Sequence, residues 1–237
     1  MILPPLVKAH LVKRYKRFLV DVILDETKEI ITAHCPNSGS MLSLLHEGYP
    51  VYLSKNTNPK NKLSHKLELI ELPSGTLVGV NTSLTNYLVK EALENKKILE
   101  LSSYDTIKME QTFNDSRFDF LLQATENNKI INSAFLEVKS VTLSQAPQIV
   151  SFPDAVTTRG SKHLLSLKQS LDVNANAYLI YVIQRGDATE FQIAKEIDKA
   201  YYENALNCKK YGVKFLCYSC AVSLQEITIN QPIKMQI

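Results

Sequence analysis

Near Asn81 the hydrophobic pattern of the chain changes period, and that change divides the polypeptide into two kinds of material. Up to about Val80 the apolar residues come in short strand-like runs, "LVKAHLVKRYKRFLVDVIL", "EIITAHC", "YPVYLSKN", "HKLELIEL" and "TLVGVN". Turn-forming stretches such as "CPNSGSM", "TNPKNK" and "LPSG" separate them. About five short strands in roughly eighty residues predict a small closed or half-closed β-barrel of the oligonucleotide-binding type, with residues 1–80 as one domain. Beyond Asn81, Leu84, Leu88 and Ala92 recur at helical spacing, with Thr82 or Ser83 as the expected N-cap. Strand-like "SRFDFLLQ", "AFLEVKSV", "NAYLIYVIQ" and "VKFLCYSCAV" then share the chain with helix-like "GSKHLLSLKQSL" and "AKEIDKAYYENALNCKKYG". That order predicts an α/β sandwich around one central mixed sheet over residues 81–237.

Composition narrows the class. The 237 residues, 45% hydrophobic and 22% charged, supply an ordinary globular core. No apolar run approaches the roughly 18–20 residues of a membrane span. Lys8, His10 and Lys13 break the N-terminal apolar stretch, so no signal peptide is expected. Cys35, Cys208, Cys217 and Cys220 are too scattered for a disulfide framework. The expectation is a cytoplasmic protein with no membrane partner, its oligomeric state left open. Cys217 and Cys220 lie three apart in an apolar strand and so face opposite sides, which favours buried thiols over a zinc knuckle. The net charge of +3 is unevenly spread: Lys8, Lys13, Arg14, Lys16 and Arg17 all precede the first acid, Asp21. Lys13, Arg14, Lys16 and Arg17 are therefore candidate phosphate contacts, with a solvated strand face as the competing reading.

The chemistry concentrates in "AFLEVKSV", where Glu137 and Lys139 interrupt an apolar run. Two residues apart on a strand, they share a face roughly 6–7 Å from each other at the backbone. Asp119 sits between Phe118 and Phe120, and the "TENNK" connection predicts an antiparallel hairpin that brings Asp119 beside Glu137 and Lys139. Glu91 falls between Tyr87 and Leu84, inside the apolar arc of the first helix, a further acid for the same group, with a boundary position reaching out to water as the competing reading. The carboxylates of Asp119, Glu137 and Glu91 suit Mg²⁺ or Mn²⁺, leaving places for water and a phosphate oxygen. Metal-assisted phosphodiester hydrolysis is the chemistry such a group serves, with Lys139 orienting water or neutralising developing charge. On spacing alone a strand ion pair competes with that reading. In the next segment Arg159, Lys162 and His163, with Ser166 and Gln169, share one predicted helix face that would clamp phosphates.

"RYKRFLVDV", "HCPNSGSM", "NTSLTNYLVKEAL", "SRFDFLLQ", "FLEVKSVTL" and "FPDAVTTRGSKHL" resemble, in order and over nearly the whole chain, the sugar fermentation stimulation protein A family of bacteria. The resemblance implies an N-terminal oligonucleotide-binding-type (OB) barrel followed by a PD-(D/E)xK nuclease-like α/β domain. Carried over residue by residue, it assigns the acid of the second core strand to Asp119, the Glu-x-Lys to Glu137 and Lys139, and the first-helix acid to Glu91. Phe118 stands where the superfamily's name has a proline, and Pro153-Asp154 follows the Glu-x-Lys instead of preceding it. The resemblance also implies non-specific DNA binding and a link to the regulation of sugar, particularly maltose, metabolism.

Two functions follow as expectations. The first is a Mg²⁺-dependent nuclease whose partner is DNA held by its backbone, RNA not being excluded. The alternative is a non-catalytic DNA-binding transcriptional regulator with a nuclease-like scaffold. The trio Asp119, Glu137 and Lys139 favours the first, and no helix-turn-helix signature supports base reading by the second. A sugar-modifying enzyme ranks last, because the chain has no Trp and no other paired acids suited to glycosidase chemistry.

Overall fold

A computed structural model describes residues 1–58 and 60–237. Strands β1 (Leu6–Tyr15), β2 (Leu19–Leu24), β3 (Ile30–His34), β4 (Pro50–Lys55), β5 (His65–Glu71) and β6 (Leu77–Gly79) form one sheet in the order β3-β2-β1-β4-β5-β6. Pairing of His34 with Lys66 joins β3 to β5 and closes the first five strands into a barrel. Along β1 Ala9 and Leu11 point inward with Lys8 on the outer face, and a bulge between Leu11 and Lys13 turns Lys13 outward as well. Val20, Val22, Val51, Leu53, Leu67 and Ile70 fill the interior. At the β1–β2 turn Lys16 and Arg17 take left-handed φ values of +46° and +64°. Such values cost roughly 1–2 kcal/mol per non-glycine residue. Arg14 steadies the turn, its Nε donating to the Arg17 carbonyl at 2.8 Å.

Asn81 opens the second unit by capping a short 3₁₀ turn, Thr82–Leu84, with its Oδ1 accepting the Ser83 N–H at 3.1 Å. Helix α1 (Thr85–Glu94) therefore begins beyond the Thr82 or Ser83 cap expected, because the tighter turn uses the first amides. Strands β7 (Thr106–Phe113), β8 (Ser116–Glu126), β9 (Lys129–Val141), β10 (Leu143–Ala146) and β11 (Ile149–Phe152) follow. The chain continues through helix α2 (Thr158–Ser170), strands β12 (Asn176–Ile183) and β13 (Glu190–Ile193), and helix α3 (Lys199–Tyr211). It ends with strands β14 (Lys214–Val222), β15 (Ile227–Pro232) and β16 (Lys234–Gln236).

The central sheet runs β15-β14-β12-β9-β8-β7, with β9, β12 and β14 mutually parallel and the outer strands antiparallel. This is the mixed sheet expected. Leu88 and Val89 of α1 pack on one face against Phe120, Leu136 and Ile180. Leu164 and Leu167 of α2 pack on the other against Phe135, Leu179 and Tyr181. Cys217 and Cys220 join these two opposite clusters as free, buried thiols. Gly212, at φ +119°, ends α3 as its glycine cap. A small sheet, β10-β11-β13-β16, was not expected, since its strands run only three or four residues and carry no readable period. Among the described residues no helix is long and apolar enough to cross a membrane.

The two units meet where "CPNSGSM" lies against "FPDAV". Ser40 Oγ donates to the Asp154 carbonyl at 2.8 Å, and Asp154 Oδ2 accepts the Met41 N–H at 3.1 Å. A Cβ at Gly39 would stand 2.4 Å from Asp154 Oδ2, so a larger residue there would push that carboxylate off the Met41 N–H. On the far side the Gly79 N–H donates to the Gln184 carbonyl at 2.8 Å. Gln184 Nε2 in turn donates to the hydroxyls of Thr85 and Ser140, each at 3.0 Å.

Candidate active site

Strand β8 parts from β9 at Asp119 while staying paired with β7. Its ladder with β9 runs from Glu126–Lys129 to Phe120–Leu136 and stops there, while β9 stays paired with β12 through Ile183–Val141. Phe118 packs with Phe113 and Phe135 in the cluster beneath α2, yet Phe120 belongs to the cluster beneath α1. Strand β8 thus rolls over at Asp119, and Glu110 opposite it on β7 takes φ +56°. The splayed strands leave one side of β9 from Glu137 to Val141 without a sheet neighbour. A cleft of about 540 Å³ lies there, lined by Lys139, Ser140, Asn86, Arg17, Arg159 and the Asp154 loop.

The hairpin brings Asp119, Glu137 and Lys139 together. Asp119 Oδ2 accepts the Val138 N–H at 2.7 Å, replacing the ladder partner that the splay removes, and Oδ1 accepts Asn86 Nδ2 at 2.7 Å. Glu137 is 2% exposed; its Oε1 accepts both the Lys139 ammonium, at 2.6 Å, and His163 Nδ1. On the other side of the ring, Arg159 Nε stands 3.5 Å from His163 Nε2. Glu137 Oε2 is buried and has no hydrogen-bond partner. Burial, reinforced by the charge of Glu137, pushes the Asp119 carboxyl up to about 6. At Glu137 burial acts upward too, but Lys139 and His163 outweigh it and hold that carboxyl below its ordinary value. Two acids in one site are thereby driven apart, the arrangement that gives one a fixed charge and leaves the other able to exchange a proton.

Other expected site residues lie elsewhere. Glu91 is turned out of the site: its carboxylate, 46% exposed, pairs with the Met1 ammonium at 2.6 Å. Five residues is about 140° of rotation on a helix, so the α1 side chain that reaches Asp119 is Asn86, not Glu91. Arg14 does not project to solvent, for its guanidinium also donates to the carbonyls of Asn37 at 2.6 Å and Gly39 at 2.9 Å. It clamps the barrel loops. His163 and Ser166 form the buried side of α2, Ser166 facing Ser116 at 2.7 Å between hydroxyl oxygens. The expected basic face therefore reduces to Arg159, which lines the cleft, and to Lys162, which pairs with Asp115 at 2.8 Å. Lys13 and Lys16 are exposed on the barrel, and Arg17 reaches the cleft.

Two family models match the chain in tandem, the SfsA N-terminal OB domain over residues 12–80 and the Sugar fermentation stimulation protein RE domain over residues 83–226. The chain belongs to the sugar fermentation stimulation protein family. A family homologue from Pelagibacter ubique is 48% identical over 97% of this chain and 96% of its own length. Another from Magnetococcus marinus is 43% identical over 97% and 96%. The structure of Pyrococcus furiosus SfsA in complex with Ca²⁺ superimposes with a TM-score of 0.88, covering 100% of this chain and 98% of that chain at 21% identity. The expected fold, an OB-type barrel followed by a mixed α/β sandwich, is the one observed.

Several lining residues carried no functional signal in the family motifs as read from sequence. Asn86 was hidden in a helix read for its apolar spacing, and Ser140 in an apolar strand. The loop around Asn37–Gly39 was read as a turn-forming separator and the segment around Asp154 only for a Pro-Asp pair out of its usual place, although both are walls of the cleft. The α2 N-terminus opens onto that cleft through Thr157 and Thr158, with Thr157 capping the Gly160 N–H at 2.9 Å. Among the described residues no group of three or more His, Cys, Asp or Glu side chains is arranged to hold a metal. The available donors are the carboxylates of Asp119 and Glu137, including the unpartnered Oε2. Mg²⁺ keeps several waters and commonly uses one or two carboxylates, so the pair fits such an ion.

Proposed function

We propose that this protein is a divalent-metal-dependent nuclease that holds DNA by its backbone and hydrolyses a phosphodiester bond in the cleft between barrel and sandwich. The observation that carries the reading is Glu137 Oε2. An unsatisfied buried carboxylate oxygen costs about 1–3 kcal/mol or more, and here it stands in a site that already has a lysine and a second acid. Asp119 and Glu137 would hold Mg²⁺ or Mn²⁺. That the Pyrococcus furiosus homologue was solved in complex with Ca²⁺ supports a hard divalent cation as a ligand. Such an ion, when bound, acidifies its water and offsets charge on the phosphate. The chain's own residues orient and neutralise: Lys139 sets an ammonium beside the acids, and Arg17 and Arg159 flank the cleft. The N-terminal amides of α2 add a site for a phosphate oxygen. All these contacts address the backbone, which supports sequence-independent binding and leaves RNA open as a substrate.

The test is incubation of the purified protein with supercoiled plasmid and with short single-stranded and branched DNAs, in Mg²⁺, Mn²⁺ or EDTA. Lys139→Ala and Glu137→Ala run beside the wild type. The expected outcome is metal-dependent cleavage that falls by at least about 100-fold in both variants. Retention of every DNA with no cleavage, the variants matching wild type, would make the trio structural and the protein a DNA-binding regulator.

A further inference from the structure

The barrel carries a second groove that the cleft chemistry does not use. About 490 Å³ in volume, it is lined by His34, Asn56, Lys62, Lys66 and Ser83. Phe18 stands beside it, 42% exposed, its ring centroid 6.4 Å from that of His34 and tilted by 39°. The two rings are tilted rather than stacked, and the exposed part of Phe18 is free to meet a third ring. Asn56 closes the neck of the β4–β5 connection: its N–H donates to the Ser64 carbonyl at 2.8 Å and its Nδ2 to the Leu63 carbonyl at 2.6 Å. Lys62 lies next to that neck and lines the groove.

Groove and cleft adjoin. Pro36 lines the groove and Asn37 the cleft, and Ser83 lines the groove where Thr82 lines the cleft. Thr82 Oγ1 donates to the Pro36 carbonyl at 2.9 Å, so one ridge separates the two depressions. Cations continue across it, with Lys139 and Arg17 on one side and Lys62 and Lys66 on the other. Exposed rings beside spaced ammonium groups suit a single strand, whose bases are free to stack while its phosphates meet the lysines. A duplex hides its base faces and gains nothing from Phe18.

We infer that this groove binds a single-stranded stretch of nucleic acid continuous with the strand held in the cleft. The ligand class is thus a nucleic acid with a single-stranded segment, an inference that rests on the nuclease reading only for what the cleft holds.

The test uses the full chain in EDTA, so that no metal chemistry intervenes, and reads fluorescence anisotropy. The probes are a short blunt DNA duplex and the same duplex with a single-stranded extension of about 12 nucleotides, within the span one such barrel covers. The extended duplex is expected to bind about ten-fold or more tightly than the blunt one. Phe18→Ala should remove most of that preference. Lys62→Ala should make the salt dependence shallower by about 0.7 in the log–log slope. Both side chains are exposed, and unchanged thermal unfolding checks that the variants fold. Equal affinity for blunt and extended duplexes, or a preference that survives both substitutions, would overturn the inference. Failure here leaves the cleavage assay untouched, and failure of cleavage leaves this preference standing.

Discussion

Two glutamates, one in each half of the molecule, are almost equally buried, Glu68 at 3% and Glu137 at 2% exposure. Around Glu68 the barrel closes completely: Ser54 Oγ donates to Oε1 at 2.6 Å, and Asn81 Nδ2 donates to Oε2 at 2.6 Å. The Lys66 ammonium stands 3.9 Å from Oε1. Because Asn81 also caps the turn before α1, Glu68 ties the barrel to the start of the second unit. Around Glu137 the pairing is lopsided, with two cationic or N–H partners on Oε1 and none on Oε2. Burial of a carboxylate therefore does not separate a joint from a site. What separates them is whether each oxygen has a partner within the chain.

The largest effect that would sharpen this contrast is kinetic. Glu137→Gln is expected to lower metal-dependent cleavage by about 10²–10³-fold, whereas Glu68→Gln leaves the rate per folded molecule within a small factor of wild type. Gel-resolved cleavage rates, normalised to folded protein, check both.

Next comes stability. Glu68→Ala strands the buried Asn81 and Ser54 groups, and an unfolding free energy lower by about 3 kcal/mol is expected in urea titration. A loss below about 0.5 kcal/mol would show that the joint is not one.

The smallest effect is the pH response of Asp119. Its carboxyl titrates near 6 in the folded chain, against about 3.9 when unfolded. The fold disfavours its ionised form, so this group's contribution is neutral below about pH 4, becomes destabilising as pH rises to about 6, and is constant above. Asp119→Asn should remove that fall, roughly 3 kcal/mol by pH 7, but loses about 1–2 kcal/mol because an amide cannot accept from both Asn86 and Val138. The metal-free protein is expected to gain about 1 kcal/mol at pH 7 and to lose stability at pH 4. Urea titrations in EDTA across that range provide the measurement.

How far the sequence could be read follows the same logic of partners. The change of period at Asn81, the β8–β9 hairpin through "TENNK" and the grouping of Asp119, Glu137 and Lys139 are local patterns, set by alternation and by turn residues such as Asn127 and Asn128 at φ +50° and +61°. Glu91 was misplaced because its apolar arc was drawn partly on Tyr87, which is 57% exposed. Arg14 and His163 look in sequence like free polar groups, but their partners are carbonyls and a carboxylate far along the chain. The Gly39–Asp154 contact joins the two units, and no periodicity encodes it. Orphan status was equally illegible, since it depends on which neighbours fail to reach Glu137 Oε2.

The most direct test of that orphan oxygen is calorimetric titration of Mn²⁺ into the wild type, Glu137→Gln and Glu68→Gln. The account predicts binding to wild type and to Glu68→Gln, and its loss in Glu137→Gln. Undiminished binding to Glu137→Gln would contradict it, and the buried carboxylate would then be a second structural joint.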